Sequence, residues 1–95
     1  MEGTEQLLRK IIAFPFFKEH SLKLKGNTLT IRGKGYDVQI NVISNTEVDI
    51  SKNWKQGIIG ILFYKQRVLD LEKLYDSITL TLAKENIKIN CVKLL

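Results

Sequence analysis

Between residues 4 and 14 the apolar side chains Leu7, Leu8, Ile11 and Ile12 recur at helical spacing, which predicts an amphipathic helix. Thr4 stands where a cap is wanted. Pro15 ends the helix, because the residue before a proline is driven out of the helical region. Phe14, Phe16 and Phe17 then anchor the crossing into the next element.

From 21 to 50 the period changes to two, the sign of half-buried strands. If Gly26-Asn27 is a two-residue hairpin turn, Leu24 faces Leu29, Leu22 faces Ile31, Lys25 faces Thr28 and Lys23 faces Thr30. Apolar then meets apolar and polar meets polar, as one buried face requires. A second such turn at Gly33-Lys34 sets Ile31 against Tyr36 and Leu29 against Val38. A three-residue loop, Ser44-Asn45-Thr46, sets Val42 against Val48 and Ile40 against Ile50, with Asn45 or a neighbour in the left-handed conformation. The stretch SKNWKQG at 51–57 reads as a loop, and GIIGILFY at 57–64 reads as an interior strand, apolar on both faces. A long helix follows over 66–85, with Val68, Leu71, Leu74, Tyr75, Ile78 and Leu82 on one stripe. The closing IKINCVKLL alternates through Ile87, Ile89 and Cys91, on the apolar side of a last strand.

These elements predict a single α+β domain over 1–95: an antiparallel meander of about five to six strands, with an N-terminal helix and a long C-terminal helix on one face. The order is α-β-β-β-β-β-α-β. A chain of 95 residues suffices for one core. The opposite sheet face carries Lys23, Lys25, Thr28, Thr30, Arg32, Asp37, Gln39, Asn41, Glu47 and Asp49 and should meet water or a partner.

Composition narrows the function classes. An apolar share of 44% and a single proline indicate an ordered chain. No apolar run reaches the ~20 residues of a membrane span, and the N-terminus lacks the pattern of a signal peptide. One cysteine, Cys91, excludes an internal disulfide, so a cytoplasmic setting is expected. The net charge of +5 favours an anionic partner, and residues 50–69 hold Lys52, Lys55, Lys65 and Arg67 without an acid.

Candidate chemistry is sparse. His20 and Cys91 are the only soft metal ligands, whereas a zinc site needs three or four. Glu47 and Asp49 stand on an exposed face, without the desolvation that separates the pKa values of paired acids. No catalytic residue, metal or cofactor is therefore assigned. The run Arg32-Gly33-Lys34-Gly35-Tyr36 resembles the start of an RNA-recognition signature, but Lys34 replaces an aromatic and Asp37 an aliphatic residue. A hairpin turn explains it better. The glycine spacings of dinucleotide and P-loop motifs do not occur.

Two functions from different classes remain. The first is a small non-catalytic module that binds an anionic partner, nucleic acid or an acidic protein surface, at one end of the sheet. There Arg32, Lys34, Lys52, Trp54 and Lys55 gather, with Lys18 and His20 nearby. The outer face itself is expected to be bipolar, with cations on the first two strands and Asp37, Glu47 and Asp49 on the next two. The second is a protein–protein adaptor or inhibitor, of the kind a phage, virus or mobile element encodes, or a homodimer. It would act through Leu69, Leu80, Val92 and Leu94, which the core leaves over.

Overall fold

The computed structural model describes residues 2–33, 35–54 and 64–94. Its elements are α1 (Glu2–Ile12), α2 (Pro15–Lys18), β1 (Leu22–Lys25), β2 (Thr28–Arg32), β3 (Tyr36–Val42), β4 (Glu47–Trp54), α3 (Tyr64–Lys84) and β5 (Lys88–Leu94). The strands form one five-stranded sheet in the order β1-β2-β3-β4-β5. This is the expected α+β architecture, with the helices on one face and five strands among the described residues.

The inner face is the core. Leu29, Ile31, Val38, Ile40, Val42, Val48 and Ile50 are buried from the sheet; Leu7, Leu8 and Ile11 join them from α1, and Leu71, Leu74, Ile78 and Leu82 from α3. Both helical stripes are thus the ones that the spacing predicts. Thr4 is not a cap: it lies inside α1 and is buried. Pro15 does more than end α1. Phe14 before it is extended (φ −64°, ψ 136°), and the proline becomes the first residue of α2, where its fixed φ suits a helix start. The short helix drops Phe17 into the core.

The hairpin at Gly26 has the predicted register in all four pairs, and Gly26 takes φ 59°. The turn at 33–36 differs. Ile31 pairs with Val38, Leu29 with Ile40 and Arg32 with Asp37, two residues beyond the expected register. Gly35 (φ 81°) supplies the left-handed step, and Gly33 N–H donates to Tyr36 O at 3.0 Å. A slip of two keeps every side chain on its face, so the core survives. The 44–46 loop has the predicted register. It closes without a left-handed residue, because Ser44 Oγ accepts from the N–H groups of Thr46 (3.2 Å) and Glu47 (3.1 Å).

Residues 51–54 are strand, not loop: β4 continues to Trp54, opposite Tyr36. Of the interior strand expected at 57–64, residues 57–63 lie outside the described residues, and Tyr64 opens α3. The place beside β4 is taken by β5, which runs parallel to it, so the sheet is mixed and not a pure meander. A register shift between Val48 and Asp49 sets Ile89 beside Val48 but Cys91 beside Asp49. Cys91 therefore shares the face of Asp49 and not the apolar face predicted for it. Leu24 keeps its inner phase but is 51% exposed, because β1 is the end strand of the sheet.

The C-terminus of α3 explains how the chain turns into β5. Ile87 N–H reaches Leu82 O (3.0 Å), Asn86 N–H reaches Ala83 O (3.1 Å), and Asn86 sits at φ 59°. This is a Schellman closure with asparagine at the left-handed position, and Ile87 and Leu82 are both buried.

Candidate nucleic-acid interface

The antiparallel register arranges the outer face in rows. One row runs Lys25, Thr28, Asn41, Asp49; the next runs Lys23, Thr30, Gln39, Ser51; a third runs Arg32, Asp37, Asn53. Neighbouring positions are about 4.8 Å apart across the strands and about 7 Å apart along them. Lys23, Lys25, Thr28, Thr30, Arg32, Asp37 and Gln39 line a hollow of about 600 Å³ over β1, β2 and β3. Thr28 Oγ1 donates to Asn41 Oδ1 at 3.3 Å, which fixes the floor beside Lys25.

Charge on this face is not balanced in the way the alternating pattern suggests. Lys88 Nζ approaches Glu47 Oε1 at 3.9 Å, and Asn90 Nδ2 donates to Asp49 Oδ1 at 3.3 Å. Both partners come from β5, whose parallel position beside β4 the sequence pattern did not anticipate. Asp37, expected on a solvated face, is only 4% exposed. Its side chain is short and sits on an interior strand, flanked in register by Arg32 and Asn53. Lys23, Lys25 and Arg32 are exposed, and among the described residues none of them takes part in an ion pair. Lys23, Lys25 and Arg32 therefore stand without an ion-pair partner among the described residues, whereas Glu47 is paired with Lys88, Asp49 accepts from a neutral amide, and Asp37 lies low in the hollow beside Arg32.

The sheet end favoured by the sequence is gathered only in part. Lys52 lies on the inner phase of β4, in register with Val38. Its ammonium reaches Glu72 Oε1 at 3.1 Å and sits 4.0 Å from the centre of the Tyr75 ring. With its side chain 16% exposed, it is an internal clamp between β4 and α3 and not a loop cation. Lys34 and Lys55, and the Trp54 side chain, lie outside the described residues; Lys18 is exposed on α2.

His20 and Arg32 do come together, with residues that the sequence reading did not assign to a site. Phe16, His20, Arg32, Tyr36, Asp70 and Lys73 line a second hollow, of about 290 Å³, between the sheet end and α3. Gly33 lies beneath Tyr36, so close that a methyl group there would fall inside the ring's van der Waals envelope. The signal for Tyr36 was that neighbouring glycine. Lys73 carried none, because an exposed lysine on a helix is ordinary.

The apolar candidates are scattered. Leu69 (55%) and Leu80 (58%) are exposed on α3, Val92 is exposed on β5, and the Leu94 side chain lies outside the described residues. Among the described residues no cluster of His, Cys, Asp or Glu could hold a metal ion, and no helix is long and apolar enough to cross a membrane. The chain matches no protein-family model, no curated protein and no solved structure. The surface itself must carry the functional argument.

Proposed function

We propose that the protein is a small non-catalytic binding module for nucleic acid, acting in the cytoplasm through the outer face of β1, β2 and β3. The observation that supports this reading is three exposed cations on one face, Lys23, Lys25 and Arg32, with no ion-pair partner among the described residues, whereas Glu47 on the same face is paired with Lys88 of β5. A phosphate backbone supplies charges of the missing sign. Thr28, Thr30 and Gln39 line the same hollow and add hydroxyl and amide groups for phosphate and sugar contacts.

Salt dependence tests the reading. Neutralising three phosphates gives a slope of log K against log salt of about −2 on single strands and about −3 on duplex DNA. With Lys23→Gln and Lys25→Gln combined, the single-strand slope should fall to about −0.7. An unchanged slope, or no binding at low salt, would reject the reading.

A second reading, the protein–protein adaptor or inhibitor or a homodimer, draws on Leu69 and Leu80. They stand eleven positions apart on one helix, a separation of about 16 Å. Two isolated leucines make a small apolar area, and single exposed leucines are ordinary. Sedimentation of Leu69→Glu/Leu80→Glu beside the parent protein tests it: an unchanged sedimentation coefficient at high concentration would exclude self-association through this line.

A further inference from the structure

The hollow at the sheet end has a different chemistry from the open face, and Arg32 lines both. We propose that it receives one unpaired nucleotide, with the base against Phe16, His20 and Tyr36 and the phosphate between Arg32 and Lys73. The protein then prefers single-stranded nucleic acid to duplex. This rests on the outer-face reading, which supplies the rest of the backbone contact.

Four observations converge on that ligand. The aromatic wall is braced: the Phe16 and His20 rings lie 4.6 Å apart at 44°, and Phe16 meets the buried Phe17 edge-on at 5.1 Å. Such a wall is a stacking platform for any base. His20 Nδ1 is 2.9 Å from Phe16 O. A carbonyl only accepts, so Nδ1 donates in this pair, and Nε2 is the ring nitrogen left for a ligand. The charges suit one phosphate: two cations, Arg32 and Lys73, stand with a single acid, Asp70, whose Oδ1 accepts from Gln66 Nε2 at 2.9 Å. The volume, about 290 Å³, lies at the bottom of the range of small-molecule sites, which begins near about 300 Å³. It therefore fits a monomer unit of a polymer. A duplex keeps its bases stacked inside and can fill such a hollow only by unpairing one.

The test is fluorescence anisotropy of the whole chain with labelled oligonucleotides: oligothymidylate, oligouridylate, a mixed duplex of equal length, and a strand of abasic sites. Single strands should bind roughly tenfold more tightly than duplex, and the abasic strand should lose that advantage. The abasic arm leaves the protein unaltered, so it does not depend on any variant folding. His20→Ala with Lys73→Ser should weaken single-strand binding by roughly tenfold and leave duplex binding, held by Lys23 and Lys25, unchanged. Equal affinity for strand, abasic strand and duplex, with a salt slope that still depends on Lys23 and Lys25, would overturn this inference and leave the outer-face reading standing. Failure of every oligonucleotide to bind would overturn both.

Discussion

Replacing Lys52 with methionine separates a structural lysine from a ligand-binding one. Methionine keeps an unbranched apolar stem in β4 and removes only the ammonium. The loss has two parts. The ammonium sits 4.0 Å from the centre of the Tyr75 ring, a geometry worth about 0.5 kcal/mol when exposed and about 2 kcal/mol when desolvated. At 16% exposure the Lys52 side chain stands toward the desolvated end. The 3.1 Å pair with Glu72 adds less, because Glu72 is about half exposed and exposed pairs give at most about 1 kcal/mol. The sum is about 1–2.5 kcal/mol. For a domain of this size, that lowers the melting temperature by roughly 5–15 °C. Urea denaturation of Lys52→Met, Glu72→Gln and the double variant should show the larger loss in the first and a coupling no greater than about 1 kcal/mol. Oligonucleotide affinity should not change. A Lys52→Met protein of unaltered stability that binds nucleic acid several-fold more weakly would refute the clamp and return Lys52 to the binding surface.

Ile78→Ala removes a fully buried side chain of α3 and should cost about 2–5 kcal/mol by urea denaturation, against about 0.5–1.5 for Ile78→Val. Asn86→Val forces a β-branched residue into the left-handed position that closes α3 and should cost at least about 1–2 kcal/mol; Asn86→Gly should be neutral or slightly stabilising. Ser44→Ala leaves two loop N–H groups without their acceptor and should cost about 1 kcal/mol, read as a fall in melting temperature. Gly33→Ala should displace the Tyr36 ring and weaken single-strand binding more than duplex binding, seen by anisotropy.

The legible parts of the fold are those where two local signals agree. At 26–27 and 44–46 the alternation of side chains and the turn residues specify the same register. At 33–36 only the alternation was informative, and a slip of two residues leaves it unchanged, so the pattern returned the correct face with the wrong partners. Residues 51–54 read as a loop because Lys52 puts a charge on the inner phase. What makes that tolerable, Glu72 and Tyr75, lies twenty or more positions away on another element. The shift that turns Cys91 toward the outer face comes from pairing with β4 and has no local mark. The site followed the same rule. Arg32 and His20 were visible as charged and aromatic residues near a turn, whereas the pairing of Glu47 with Lys88 and the Asn90–Asp49 hydrogen bond depended on where β5 lies.

An amide chemical-shift titration with a short oligothymidylate at low salt tests the central claim most directly. The account predicts shifts concentrated at Lys23, Lys25, Thr28, Thr30, Arg32 and Gln39, fading as salt is raised, with Leu69 and Leu80 on α3 unmoved. Shifts confined to α3 and β5, or none anywhere, would contradict it.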